Sequence, residues 1–172
     1  MNNNQSFDFS VDKEKNTIVI KRVFDADRKL VWQAWTTAEL LDQWWGPAPC
    51  TAKTKSLEFV EGGHWLYCMI VPPSITDDQT EQRHWGKQEF EKIVPHTFFS
   101  GTDVFCDEHG NADPNLPKGK FRNEFSDEPD GKTIVTMISN HDSLDEIEQI
   151  IAMGFKEGIK VCLDQLEILL AK

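Results

Sequence analysis

The chain has 172 residues, 39% of them hydrophobic, and a formal net charge of -11 at neutral pH. That length suits one globular domain able to bury a core without metal or disulfide staples, and the acidic balance, spread along the chain, opposes phosphate backbones and anionic membrane surfaces. Nucleic acid and membranes are therefore not expected as partners, and with no run approaching the ~20 apolar residues of a bilayer span and no basic leader before an apolar stretch, a cytoplasmic protein is expected.

In chain order, Asn2–Ser6 is polar and expected to fray, within a partly flexible stretch 1–16. Thr17–Phe24 reads as a first strand. Asp27 can cap a short helix whose apolar side is Leu30, Val31, Ala34 and Trp35, and Thr36 with Glu39 forms a capping box that starts a second helix. Gly46-Pro47 ends it. Strand-like runs follow at residues 53–60, 64–71, 84–94, 97–106, 120–125 and 132–139, and their short links favour an antiparallel meander. Two loops, 72–82 and 107–118, are expected to be mobile. Ser143 with Glu146 makes a further capping box, and the proline-free segment from there to Leu170 reads as one long helix.

That helix carries a physical clue. Ile147, Ile151, Gly154, Phe155, Gly158, Cys162, Leu166 and Leu169 share one stripe, which turns two glycines toward the core. A glycine costs a helix interior roughly 1 kcal/mol relative to alanine, so the pair points to a place that needs missing volume. A cavity between helix and sheet satisfies that need, and so does close helix-on-sheet packing with no void.

On the strand after Glu61-Gly62-Gly63, the residues Trp65, Tyr67, Met69 and Val71 form one soft, aromatic face, which suits either a ligand or plain core. Gly62 and Gly63 read as a tight turn or bulge and not as a phosphate cradle. The four cysteines, Cys50, Cys68, Cys106 and Cys162, lack zinc-site spacing and read as reduced thiols. Support for catalysis is thin, because His64, His84, His96, His109 and His141 stand in no spacing that demands a triad. Cys106, Asp107, His109 and Asp113 suit a solvated turn better than a metal site. Glu89 and Glu91 share a strand face and are either a carboxylate pair or partners of lysines on a neighbouring strand. No catalytic residue, metal or cofactor is expected.

Four of the six tryptophans fall in the segment from Val31-Trp32-Gln33-Ala34-Trp35 to Trp44-Trp45-Gly46-Pro47. Downstream come Phe59-x-Glu61-Gly62-Gly63-x-Trp65-x-Tyr67-x-Met69, Trp85-Gly86, Ile93-Val94-Pro95, Gly131-x-Thr133 and Gly154-x-x-x-Gly158. In this order the motifs resemble the activator-of-heat-shock-ATPase homologues of the START-like superfamily. The resemblance implies an α+β helix-grip fold over residues 1–172: a curved antiparallel sheet of about seven strands wrapped around a long C-terminal helix, with two short helices after the first strand. It also implies a pocket between sheet and helix that holds a hydrophobic or amphipathic small molecule without catalysis. Trp45, Trp65, Tyr67, Met69, Phe90, Met153, Gly154, Phe155 and Gly158 are its expected ligand-binding residues. A chaperone regulator and a cyclase or hydrolase using the same pocket are the alternatives, and a homodimer stays open. Two positions depart from the pattern: Lys92 replaces the usual acid before Ile93, so a polar ligand contact made by that acid is not carried over, and Ile159 replaces an aromatic residue, which should widen or reshape the pocket.

Overall fold

A computed structural model describes residues 7–172; the expected fraying of Asn2–Ser6 lies outside them. Eight antiparallel strands form one sheet: β1 (Asp8–Asp12), β2 (Thr17–Phe24), β3 (Thr51–Leu57), β4 (His64–Val71), β5 (Gln82–Val94), β6 (Phe98–Cys106), β7 (Lys118–Glu128) and β8 (Lys132–Asn140). Their spatial order is β1-β2-β8-β7-β6-β5-β4-β3. Helices α1 (Arg28–Thr36) and α2 (Ala38–Trp44) carry the chain from β2 to the far edge, and α3 (Leu144–Ala152) and α4 (Phe155–Leu170) close it. This is the helix-grip arrangement, with one strand more than expected. The extra strand is β1, paired with β2 from Asp8↔Lys21 to Asp12↔Thr17, inside a stretch expected to be partly flexible. Its alternation of exposed and half-buried residues is that of an edge strand.

Local signals explain most element ends. Asp27 Oδ1 accepts from Leu30 N at 2.8 Å and caps α1, and Ser143 Oγ accepts from Glu146 N at 3.2 Å and caps α3. The capping box expected of Thr36 and Glu39 does not form: Thr36 is the last residue of α1, its hydroxyl donating back to Trp32 O at 2.9 Å, and α2 starts from Thr37 without a side-chain cap. Leu30, expected on the apolar side of α1, is 50% exposed, while Trp32 takes the inward position beside Val31, Ala34 and Trp35.

The expected single C-terminal helix is two helices. Gly154 adopts φ +90°, a left-handed conformation favoured by glycine, and its N–H bonds to Ile151 O at 3.0 Å while its own carbonyl accepts from Gly158 N at 3.0 Å. It therefore ends α3 and starts α4. Helical periodicity cannot register such a break, because the apolar stripe continues on both sides of it.

Tryptophans and phenylalanines fill one end of the trough between sheet and helices. Trp32 meets the rings of Phe59, Phe99 and Phe125 edge-on at 5.0–5.8 Å, and Trp35 meets Trp44 and Phe125 at 4.9 and 5.7 Å. Trp44 is fully buried and its indole N–H donates to Ala34 O at 2.9 Å. Phe90, one of the expected ligand residues, belongs to this solid end, packed on Phe59 and Phe99. Across the sheet, Arg22 is buried to 1% exposure and its guanidinium donates to Asp164 at 2.8 Å and Glu167 at 3.1 Å, tying β2 to α4.

Candidate functional site

The other end of the trough is hollow. A cavity of about 270 Å³ lies between α4 and the inner face of the sheet, walled by β2 and β4 to β8 and reached by Pro47 on one side and Pro117 and Lys118 on another. Gly158 explains why the helix does not fill it. A Cβ built there would meet a single neighbour, Pro47 Cγ at 3.8 Å, so the side chain missing from Gly158 corresponds to free space. Gly154 plays no such part, since a Cβ on it meets nothing within 4 Å and its role is to break the helix.

Five of the nine expected ligand residues line the cavity: Trp45, Tyr67, Met69, Phe155 and Gly158. The other four do not. Trp65 is buried to 2% exposure behind Tyr67, with the rings stacked at 4.3 Å, so it supports the wall without reaching the space. Phe90 sits in the aromatic end, Gly154 is at the helix junction, and Met153, at the end of α3, is 53% exposed because the break turns it outward. Of the adjacent tryptophans, Trp44 is buried and Trp45 is half-buried at the cavity, as their angular separation on a helix demands. Ile159, in place of an aromatic residue, also lines the cavity.

Tyr67 is seated by what lies behind it. It pairs across the sheet with Gly86, where a Cβ would fall 2.6 Å from the tyrosine ring, so only glycine lets the ring lie flat there. Trp45 packs edge-on against its ring at 6.0 Å, and burial pushes the phenol well above its ordinary range, so Tyr67 is neutral at any physiological pH. Cys162 Sγ donates to Trp45 O at 2.6 Å, and burial pushes that thiol up to about 12.

Sequence reasoning missed the polar groups inside. Gln88 and Asp103 stand directly opposite each other on β5 and β6, Asp103 is next paired with Gly119 on β7, and all three face the cavity. His141 lies over Gly119, its ring 2.7 Å from where a Cβ would be. Gln88 and Asn123 are 6% and 4% exposed, and among the described residues neither side chain makes a hydrogen bond. Asp103 has no ion pair either, and burial alone pushes its carboxyl up to about 7. Asp103 is half-buried and lines the cavity. Strand parity held the signal: Asp103 shares a face with Phe99 and Phe105, Gln88 with Phe90, and Asn123 with Phe121 and Phe125.

The remaining candidates lie outside the cavity. Glu89 and Glu91 are exposed on the opposite face, with Lys87 Nζ 3.8 Å from Glu89, and Glu91 is the extra residue of a bulge between Phe90 and Lys92. Lys92 is exposed beside it. Asp107 accepts from the backbone N–H groups of His109 and Asn111, both at 2.9 Å, which holds its carboxyl below the ordinary range and makes residues 107–111 a hydrogen-bonded turn. The Glu61-Gly62-Gly63 turn extends the sheet, with Gly62 N donating to Phe90 O and Phe90 N to Gly63 O, each at 2.9 Å. No described helix is long and apolar enough to cross a membrane.

Comparison with known proteins bears on this architecture. The family model described as "Activator of Hsp90 ATPase homolog 1-like protein" matches residues 25–171. No curated protein matches the chain. Among solved structures, protein Ms6760 from Mycobacterium smegmatis is similar at 26% identity and a TM-score of 0.84, with 95% of each chain covered. A protein from Arthrobacter aurescens is similar at 29% identity and a TM-score of 0.80, covering 95% of this chain and 91% of that one. One from Staphylococcus epidermidis follows at 27% identity and a TM-score of 0.78, covering 94% and 93%.

Proposed function

The chain belongs to the activator of Hsp90 ATPase homologue 1-like family, a START-like fold of ligand-binding or regulator domains, and from its cavity we propose that it is a non-enzymatic binding protein for a hydrophobic or amphipathic small molecule. The observation that carries this reading is the void of about 270 Å³ beneath Gly158, walled by aromatic and aliphatic side chains with few polar groups. Its size is just below that of usual ligand sites, roughly 300–1,000 Å³, which favours a compact molecule over a long-chain lipid. Tyr67, neutral, and Cys162, a thiol held protonated, supply no nucleophile at neutral pH.

Titration with the uncharged fluorophore N-phenyl-1-naphthylamine tests the reading. Saturable binding of one molecule per chain, with energy transfer from tryptophan, is the expected result; linear, unsaturable partitioning overturns it. Regulation of a chaperone ATPase is the alternative, favoured by the family's description alone. Stimulation of that ATPase by the protein, unaffected by filling the cavity, would support it.

A further inference from the structure

The cavity's charge is one-sided. Its titratable lining residues are Tyr67, Asp103, Lys118, His141 and Cys162. Lys118 is exposed at the rim, and burial lowers the His141 imidazole below its ordinary range, leaving it neutral near pH 7. Tyr67 and Cys162 are neutral too, so Asp103 is the one interior group able to carry charge, and among the described residues no cation or hydrogen-bond donor is paired with it. Directly across the strand pair is Gln88, a carboxamide at 6% exposure that also lacks a partner. Gln88 is buried and Asp103 half-buried, neither side chain has a hydrogen-bond partner among the described residues, and both line one void, so both are open to a polar group on a ligand. Tyr67 lines the same cavity.

A carboxylate or phosphate ligand would meet Asp103 with no interior cation to offset it. A neutral apolar ligand would leave both Asp103 and Gln88 desolvated and unpaired, which carries the full cost of an unmade hydrogen bond. A cationic head satisfies both, because an ammonium group donates to the carboxylate and to the carboxamide oxygen and is favoured beside aromatic rings.

We propose that the cavity takes a hydrophobic amine, its protonated amino group seated at Asp103 and Gln88 and its apolar body held by Trp45, Tyr67, Phe121 and Phe155. This deepens the ligand-binding reading and rests on it. Three probes of one shape separate the possibilities: 4-phenylbutylamine, 4-phenylbutanol and 4-phenylbutyrate, each titrated at pH 8 by calorimetry against the wild-type chain and Asp103→Asn. The amine is expected to bind about tenfold or more tightly than the alcohol, with the carboxylate weakest. In Asp103→Asn the preference for amine over alcohol should vanish while the alcohol's Kd changes less than about threefold, with retained folding checked by thermal unfolding. An amine no tighter than the alcohol, a preference that survives in Asp103→Asn, or tightest binding of the carboxylate overturns the amine assignment. If no phenylbutyl probe binds but N-phenyl-1-naphthylamine does, the amine assignment fails and the binding cavity stands; if that fluorophore also fails, both fall.

Discussion

Asp103→Asn should stabilise the unliganded protein, and by an amount that depends on pH. The carboxyl titrates at about 7 in the folded chain, against 3.8 when exposed, because burial penalises its charge. A group with a raised folded pKa binds its proton more tightly when folded. Its full contribution to stability is therefore present below about pH 4 and is lost as pH rises toward 7, after which the loss is constant. Each pH unit of that window corresponds to about 1.4 kcal/mol, so the charged Asp103 destabilises the fold by at most about 4 kcal/mol at pH 8. Asp103 is only half-buried, and solvent screening of its charge brings the expected effect to about 2–4 kcal/mol. Asparagine keeps the shape and removes the titration. Urea denaturation of both proteins from pH 4 to pH 8 isolates the effect, because Asp107, Asp164 and His141 titrate equally in each. The stability difference should widen steadily to about pH 7 and then level. Parallel profiles would show instead that the carboxyl is solvated or paired in the folded chain.

The tryptophans and glycines give further expectations. Trp35→Ala should cost about 3–5 kcal/mol in chemical denaturation, since that ring is buried against Trp44 and Phe125. Trp45→Phe, at the cavity, should leave the melting temperature little changed and remove most of the quenching of tryptophan emission by a bound fluorophore; unchanged quenching would place the responsive indole elsewhere. Gly154→Ala should cost about 1–2 kcal/mol through its left-handed backbone, with fluorophore affinity unaltered, because the space around it is open and outside the cavity.

Periodicity made the strands legible, and capping made the starts of α1 and α3 legible, because those signals lie close in sequence, such as Asp27 with Leu30 and Ser143 with Glu146. The edge strand β1 was not legible, since half of it faces solvent and its pairing partner lies across a turn. Nor was the break at Gly154, where a cap and a buried glycine give the same pattern in one dimension. For the cavity, Trp45, Tyr67 and Gly158 were readable from their motifs, while Met153 and Trp65 misled because a shared face does not say which side chain reaches the void. Gln88 and Asp103 become a pair only once the β5–β6 register is known.

Gly158→Leu puts a side chain where the cavity meets α4. A Cβ at this position meets only Pro47 Cγ at 3.8 Å, and Gly158 lines the void between α4 and the sheet, so the leucine side chain is expected to occupy part of that void. Replacing an interior helical glycine adds roughly 1 kcal/mol of stability, and apolar contacts in the cavity add to it. Titration of N-phenyl-1-naphthylamine into the folded variant, beside the wild-type chain, should show affinity reduced about tenfold or more with the melting temperature unchanged or raised. Undiminished affinity in a fully folded Gly158→Leu would mean that the ligand binds elsewhere and would contradict the assignment of the cavity as the binding site.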